Sequence, residues 1–349
     1  MVVWDDLGWK GVYLLMERPI LIIDGFNCFV RNLVVNESIT ASGDLVGGTL
    51  GFLRMMVNLI NQFKPTKVYI CWEQGGASPR RKHIYPEYKA NRAKTGKDAF
   101  KKDGKINALA DKENKSRQLL LLANILNCLP ICQLYLPEVE ADDIAGWLVK
   151  NKLKTINATK ILVSSDKDFY QLLEDKTVKI FNPATKNLVN EEEVITRFGI
   201  SPKNITLARA IVGDESDNID GISGIGLKTV ASRFSELKAT DIDYDIDWIL
   251  ERSKETINES VNSTRKSAKI PKCFQDIVLG EDIIRRNWKL MFLDNSSLSS
   301  DQIKKLDYKV DNFEPKINQL QFIKNFTANN IAITNDIDRI PTELRFLTI

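Results

Sequence analysis

Histidine and paired cysteines are scarce in this chain of 349 residues. The single histidine, His83, argues against zinc held by histidines and against a Ser-His-Asp triad. The five cysteines form no CxxC pair, which is typical of buried, reduced thiols in a cytoplasmic protein. There is no secretion signal and no apolar run of membrane-spanning length, so we expect no membrane association. Carboxylates, lysines and arginines remain as the reactive groups.

Positive charge is concentrated in one segment of the chain. The net charge is +3, but the segment from Arg80 to Arg117 holds 13 Lys and Arg against five Asp and Glu, which leaves −5 on the rest. Cations interleaved with tyrosine suit a nucleic acid, because cations meet phosphates and aromatic rings stack on unpaired bases. A solvated surface loop would have the same composition, and both interpretations stay open at this point. The candidate nucleic-acid contacts here are Arg80, Arg81, Lys82 and Tyr88.

Strand-like runs alternate with helical periodicity up to about residue 200. Strands are predicted at 19–23, 67–72, 131–136, 161–165 and 177–181, and helices at 44–63 (with Asp44 as N-cap), 111–129 and about 138–153. This alternation predicts an α/β fold with a mostly parallel central sheet covered by helices. The predicted units are an N-terminal extension (1–18), an α/β domain (19–200) with a basic insertion (about 75–117), and a helical domain (201–349).

Acidic residues follow the predicted strands. Asp24 and Glu73 each end a strand, and Asp166 and Asp168 follow a third. Five further acids lie at a predicted helix start or in a predicted turn, where helix capping would also explain them: Glu140, Asp142, Asp143, Asp214 and Asp217. The carboxyl ends of parallel strands meet at one edge, and so many like charges need cations to coexist there. Oxygen ligands without histidine favour Mg²⁺ or Mn²⁺, and nine carboxylates are enough for two ions.

A glycine-rich turn lies at residues 221–229. It fails the P-loop pattern because Leu227 separates Gly226 from Lys228. We interpret it as a hairpin before a helix at about 227–237, whose exposed amides can hold a phosphate. Its candidate contacts are Gly224, Gly226, Lys228 and Thr229.

The ordered set of motifs resembles the 5′ nuclease family over about residues 19–240. This family includes flap endonucleases, the 5′-nuclease domains of bacterial DNA polymerases and phage 5′→3′ exonucleases, and the ribonuclease H type of T-even phages looks most similar. The motifs that carry the resemblance are Ile22-Ile23-Asp24-Gly25, Tyr85-Pro86-Glu87-Tyr88-Lys89-Ala90-Asn91-Arg92, Val139-Glu140-Ala141-Asp142-Asp143, Ser164-Ser165-Asp166-Lys167-Asp168-Phe169, Gly213-Asp214-Glu215-Ser216-Asp217-Asn218 and Gly224-Ile225-Gly226-Leu227-Lys228-Thr229.

The resemblance implies a PIN-like sheet, a helical arch in the basic insertion and a helix–hairpin–helix (H3TH) element that grips uncut duplex, often with K⁺. Two Mg²⁺ are implied, with Mn²⁺ able to substitute. The implied ligands of the first ion are Asp24, Glu73, Glu140 and Asp142, and those of the second are Asp166, Asp168 and Asp217, with Asp143 and Asp214 nearby. Lys89 and Arg92 match the basic pair at the scissile phosphate.

Two residues depart from the family pattern. Glu73 stands where Asp is usual, and Lys167 stands where Gly is common. By strand alternation, we expect the Lys167 side chain to point away from the metals.

The implied function is a metal-dependent 5′→3′ exonuclease and flap endonuclease that removes RNA primers or 5′ flaps by two-metal hydrolysis. Its substrates would be branched or nicked duplex DNA and RNA–DNA hybrids with a 5′ end. We expect a monomer. The resemblance implies a single-strand-binding protein or a sliding clamp as protein partners. One alternative is a non-catalytic junction-binding protein of the same fold. An aspartyl phosphatase would need Asp where Phe26 stands, and a PIN-type ribonuclease would lack the glycine turn and the arch.

Overall fold

The computed structural model describes residues 18–73, 78–91, 112–262 and 272–349. The strands in these residues are β1 (Ile20–Asp24), β2 (Lys67–Trp72), β3 (Cys132–Tyr135), β4 (Lys160–Val163), β5 (Val178–Asn182), β6 (Asn187–Val189), β7 (Gly213–Asp214) and β8 (Ile219–Asp220). The helices before residue 240 are α1 (Gly25–Val35), α2 (Gly47–Phe63), α3 (Pro79–Ile84), α4 (Lys112–Leu126), α5 (Ala141–Trp147), α6 (Glu191–Phe198), α7 (Pro202–Val212) and α8 (Leu227–Arg233). Those after it are α9 (Ile246–Asn262), α10 (Lys272–Leu279), α11 (Glu281–Met291), α12 (Ser300–Asp311), α13 (Gln319–Thr327), α14 (Asn335–Asp338) and α15 (Ile340–Glu343).

A six-stranded sheet with the order β3-β2-β1-β4-β5-β6 lies at the centre. Strands β1 to β5 pair in parallel, and β6 pairs antiparallel with β5. The predicted α/β fold with a mostly parallel sheet is therefore confirmed. The order reverses between β1 and β4, and in such sheets the ligand crevice lies outside the carboxyl ends of the strands at that reversal. Asp24 ends β1 at this point.

The sheet is covered on both faces, which explains why its strands read as continuous apolar runs. In β1, Ile20 and Ile22 belong to one hydrophobic core, while Leu21 and Ile23 belong to the other. Helices α5 to α12 supply the first core. Helices α1, α2 and α4 supply the second, together with α13 to α15. Since α5 and α7 share the first core, helices on both sides of the expected domain boundary at residue 200 pack together; the boundary itself stays a prediction.

Some element boundaries differ from the prediction. Helix α2 begins at Gly47, and Asp44 is not its N-cap. A Cβ on Gly47 would lie 1.7 Å from the Asn36 carbonyl oxygen, so the chain crosses too closely there for another residue. Asp44 instead accepts a hydrogen bond from Ser42 in the preceding loop. The antiparallel β6 and the β7–β8 ribbon were not predicted.

The helix predicted up to about residue 153 also differs. Its α-helical part ends at Trp147, and it continues as one π-helical turn, Leu148–Lys152. Among the described residues, no helix has both the length and the apolar character needed to cross a bilayer.

One charged side chain is buried at the start of β4. Lys160 is 0% exposed, and its ammonium donates to the Ile156 carbonyl, to Asp175 and to the Thr177 hydroxyl. Burial would raise the pKa of Asp175, but hydrogen bonds from Thr177 and Lys160 and the charge of Lys160 hold it below its usual range. This ion pair therefore fastens the edge of β4 to the turn before β5.

We expect Asp175→Asn to lower the free energy of unfolding by about 1.5–3 kcal/mol, because a buried ammonium loses its charged partner. Since the pKa of Asp175 is depressed in the folded state, its contribution is complete above its unfolded pKa of about 4 and is lost as the pH falls through the lower folded pKa. Urea unfolding at pH 7 and pH 3 measures both effects. The control is Asp311→Asn in the exposed pair with Lys152, which should cost under about 1 kcal/mol. Equal losses for the two variants would contradict the prediction.

Candidate functional site

A small cleft of about 80 Å³ lies at the carboxyl edge of the sheet. Its carboxylates are Asp24, Glu73, Glu140, Asp142, Asp166 and Asp217. Phe26, Asn27, Ala141 and Lys89 complete its walls. Six of the nine acids selected from the sequence therefore line one cavity, whereas Asp143, Asp168 and Asp214 are not among its lining residues.

Asp24 and Asp166 are positioned by the ends of their strands and by one serine hydroxyl that contacts both residues. Asp24 is the last residue of β1 and caps α1 by accepting a hydrogen bond from the Asn27 amide at 3.2 Å. The Ser164 hydroxyl donates to Asp24 at 2.9 Å and accepts from the Asp166 amide at 3.1 Å. Ser164 thus links the acids that follow β1 and β4. In the sequence, the role of Ser164 was indicated only by its being a small hydroxyl residue that follows a buried strand.

Arg81 is the main correction to the predicted nucleic-acid contacts. It is 2% exposed, and its guanidinium grips both oxygens of Asp143, with nitrogen–oxygen distances of 2.9 and 3.0 Å. It also lies 3.0 Å from Glu140 and 3.3 Å from Asp142, and its Nε donates to the Leu290 carbonyl. Arg81 is therefore enclosed by acids and cannot meet a phosphate at the surface. Asp143, which was expected near a metal, is held by its ion pair with Arg81 instead.

Tyr88 is also buried rather than presented for stacking. It is 2% exposed, and its hydroxyl lies 3.0 Å from Glu140 and 3.2 Å from Asp217. The prediction that its ring stacks on bases is wrong, because the ring lies in the protein interior. Its hydroxyl instead fixes two of the carboxylates that line the cleft.

Lys89 lines the cleft, and its contact with a scissile phosphate stays a prediction. Its Nζ lies 2.5 Å from Glu140 and 3.9 Å from Asp217. The residue adopts a left-handed backbone conformation with φ of +57°, which is unfavourable for a lysine. Its amide donates to the Asp217 carbonyl at 2.8 Å, and this bond helps to hold the strained conformation.

The base of the basic segment is tied to the loop that carries Asp217. The Asn218 side chain donates to the Glu87 carbonyl, the Asn91 side chain donates to the Glu215 carbonyl, and Tyr85 lies 3.2 Å from Asp220. Hydrogen bonds therefore join two segments more than 120 residues apart beside the cleft. Arg92, the expected partner of Lys89, lies outside the described residues.

Arg209, to which the sequence analysis assigned no role, pairs with Asp168 and Asp214. Arg209 is 6% exposed on α7 and bridges Asp168 at 2.5 Å and Asp214 at 2.6 Å. Asp168 was expected to be a ligand of the second metal and Asp214 to lie near it; in the structure both pair with this arginine. A charged residue within the otherwise apolar run Leu207-Ala208-Arg209-Ala210-Ile211 was the available signal.

Burial and neighbouring charges shift the pKa values of the acids in the cleft. Burial raises the pKa of Asp24 to about 6, and the charge of Glu73 adds to the rise. Glu140 behaves oppositely: burial would raise its pKa, but Arg81 and Lys89 hold it at about 2. Within the part of the chain that the structure describes, no three acidic, Cys or His side chains are already gathered into a metal cage. Arg81 and Lys89 occupy oxygens that such a cage would use.

The other candidate contacts lie on the surface. On α3, Lys82 is exposed and Arg80 is half-buried. In the glycine turn, the exposed residues are Gly224, Gly226 and Lys228, and Thr229 is half-buried. Gly224 has φ of +78°, and a Cβ on Gly224 or Gly226 would meet no atom within 4 Å. The turn therefore presents bare backbone to the exterior. Lys167 lines a separate pocket beside Arg197 and Phe198 and not the cleft; it lies after β4 has ended, so strand alternation does not set its direction.

Replacing Arg81 tests whether it is structural. We expect Arg81→Met to destabilise the fold by about 3–5 kcal/mol, because Asp143 and its neighbours would stay buried without their cation. Urea unfolding measures the loss. Lys82→Met, the adjacent exposed cation, should change stability by less than about 0.5 kcal/mol. An Arg81→Met protein as stable as Lys82→Met would show that the buried pairing is not needed.

Comparison with known proteins places this geometry in a family. The model for the N-terminal resolvase-like domain of 5′-3′ exonucleases matches residues 19–199. A 5′-3′ exonuclease of Aquifex aeolicus is 31% identical over 213 residues, which are 61% of this chain and 67% of that protein. The thermostable DNA polymerase I of Thermus filiformis is 30% identical over 224 residues, 63% of this chain and 24% of the polymerase. The chain thus matches about a quarter of that polymerase.

Among solved structures, the zinc-bound T5 5′-exonuclease superposes with a TM-score of 0.67 at 20% identity, covering 85% of this chain and 99% of that one. This likeness shows that the two share a fold. The resemblance inferred from the motifs is confirmed by the family match. Because that match covers more than half of the chain, the protein belongs to the 5′-3′ exonuclease family, whose members are nucleases.

Proposed function

We propose that the protein is a metal-dependent nuclease that hydrolyses phosphodiester bonds at 5′ ends and 5′ flaps of duplex DNA. The observation that carries this proposal is the cleft, where six carboxylates from five chain segments face one cavity beside Lys89. Family membership supports the nuclease activity. A flap endonuclease structure of bacteriophage T5, at 20% identity and a TM-score of 0.61, is a complex with DNA and metal ions, which agrees with this substrate class.

The donor set of the cleft fits a hard divalent cation. All six acidic ligand candidates are oxygen donors, which is the preference of Mg²⁺ and Mn²⁺. Burial and the neighbouring Glu73 raise the pKa of Asp24, so a cation placed there would relieve the repulsion between these two carboxylates. Asp24, Glu73, Asp166 and Asp217 are the residues that we propose for its ligands, with Glu140 and Asp142 shared with Arg81.

The side chains around the cleft have separable roles. Lys89 places a positive charge at the cleft wall, where it can neutralise a non-bridging oxygen of the scissile phosphate. Tyr88 and Ser164 hold the carboxylates in position through hydrogen bonds. When bound, a divalent ion supplies a Lewis acid and lowers the pKa of a coordinated water.

Surface groups near the cleft and in the glycine turn can bind the DNA backbone. Exposed Lys82 and Lys228 suit phosphates, and the bare amides at Gly224 and Gly226 allow close approach of a duplex. None of these contacts reads a base, so we propose recognition of the shape of a branched or nicked substrate. Removal of RNA primers from RNA–DNA hybrids would use the same backbone contacts.

Asp166→Asn tests the metal-dependent activity. We expect cleavage of a labelled 5′-flap duplex in Mg²⁺ to fall about a hundredfold or more, because a cleft ligand loses its charge. Asp301→Asn on α12, where the side chain is 86% exposed, is the matched control and should cleave like the wild type. Undiminished cleavage by Asp166→Asn would contradict the proposal. Binding to the flap without cleavage in Mg²⁺ or Mn²⁺ by the wild type would favour the non-catalytic junction-binding alternative.

Lys89→Met tests the proposed contact with the scissile phosphate. We expect kcat for flap cleavage to fall about 100- to 1,000-fold, because one charge that stabilises the transition state is lost. Single-turnover assays at saturating enzyme separate this effect from weaker binding. Lys82→Met removes an exposed charge from the same segment and should change affinity more than the single-turnover rate. A Lys89→Met protein with a wild-type rate would exclude Lys89 from the reaction.

A further inference from the structure

A second cavity, which we call the side pocket, adjoins the cleft at the residues that follow β4. Its volume is about 540 Å³, and it is lined by Ser165 and Lys167, whereas Asp166 between them lines the cleft. Alternate residues of one short segment therefore line two cavities. The Ser165 hydroxyl donates to the Asn27 side chain at 3.0 Å, and Asn27 lines the cleft. The two cavities thus share a rim at this hydrogen bond.

Two cations line the side pocket, and neither forms an ion pair with a residue that the structure describes. Lys167 is exposed, and the guanidinium of Arg197, near the end of α6, lies 5.1 Å from the centre of the Phe198 ring. Tyr170 follows Lys167 by three residues, and its ring centre is 5.8 Å from that of Phe198. This ring contact joins the segment of Lys167 to the end of α6 that carries Arg197. Since Gly is common at position 167 in the family, the lysine is not a general family feature.

The acids of the side pocket belong to the other end of α6. Glu192 and Glu193 lie in the first turn of this helix, where negative charge is favourable. Glu193 is also engaged in a capping box, in which its carboxylate accepts a hydrogen bond from the Asn190 amide at 3.1 Å. The side pocket therefore has an acidic end that serves the helix and a basic end whose two charges are available to a ligand.

The basic end of the side pocket lies between the cleft and the glycine turn. Lys167 directly follows an acid of the cleft. On the other side, Gly199 follows Arg197 by two residues and packs against α8, since a Cβ on Gly199 would lie 3.3 Å from the Ala231 side chain. Ala231 is the fifth residue of α8, which begins directly after the glycine turn, so it lies about 6 Å along the axis from the start of the helix. A duplex that extends from the glycine turn to the cleft would pass the two cations.

We propose that the side pocket binds the backbone of duplex DNA, with Lys167 and Arg197 each contacting a phosphate between the scissile position and the glycine turn. Side-chain amides and hydroxyls elsewhere on its walls suit the sugar and phosphate oxygens of a backbone: Asn182, Thr185, Asn187 and Thr196. This inference rests on the proposed function for its substrate and deepens it, because it adds a backbone site to the cleft and the glycine turn.

Binding measured in EDTA, where no cleavage occurs, tests the two cations. We expect Lys167→Met and Arg197→Met each to weaken binding of a labelled 5′-flap duplex on the order of fivefold, and to lower the slope of log affinity against log salt concentration by about 1. Fluorescence anisotropy at several NaCl concentrations measures both. Arg197→Lys keeps the charge and should keep the slope. Lys324→Met and Arg345→Met, which remove exposed cations beside the other core, are the matched controls and should change neither quantity.

Substitution of single phosphates identifies the contact. Neutral methylphosphonates placed one at a time along the duplex should weaken wild-type binding most at one or two positions beside the cleavage site. At those positions they should cause no further loss with the double variant Lys167→Met, Arg197→Met, because the partner charges are already absent. Equal losses for the wild type and the double variant at every position would overturn the inference, since the two cations would then contact no phosphate.

The outcomes separate this inference from the proposed function. Unchanged affinity and salt slope in folded variants would overturn the side-pocket site, while flap cleavage by the wild type in Mg²⁺ would leave the nuclease proposal intact. A wild type that binds through these cations but cleaves no flap would overturn the proposed function alone. Thermal unfolding shows whether each variant folds. If loss of the contact between Arg197 and the Phe198 ring prevents folding of Arg197→Met, the exposed Lys167→Met decides by itself.

Discussion

The balance of charge at the carboxyl edge of the sheet is the constraint on which the rest of this structure depends. Nine acids gather where strands end, and in the described part of the chain three basic side chains enter among them. Arg81, Lys89 and Arg209 come from different parts of the chain, and each ties its own element to the acids that it meets. Ion pairs among the charged residues of the site therefore also hold together the elements that surround it.

This arrangement separates two kinds of acid by what compensates them. Arg81 and Arg209 satisfy Asp143, Asp168 and Asp214 internally, so these residues stabilise the protein around the cleft. Among the acids that line the cleft, Glu140 contacts both Lys89 and Arg81. Burying like charges together is costly, and carboxyl groups with raised pKa values tend to cluster at functional sites.

Local pattern was enough to predict much of the architecture. The run Ile20-Leu21-Ile22-Ile23 predicted a doubly covered strand, and acids after three strands predicted a common edge. The partners of those acids were not predictable, because Arg81 and Asp143 are 62 residues apart and Arg209 and Asp168 are 41 apart. Composition suggested that Arg81 and Tyr88 face a nucleic acid; only the tertiary contacts show them buried. Strand order, which places β1 beside β4, is likewise a long-range property.

The last helices have a consequence for how the chain is made. Phe322, Ile340 and Leu347 fill the core that covers one face of β1, and Arg18 lies over the Phe346 ring at 4.9 Å. The first strand therefore acquires its full covering only from residues far later in the chain. Such non-local contacts fold slowly, so we expect that face of the sheet to stay incompletely buried until α13 to α15 have been made.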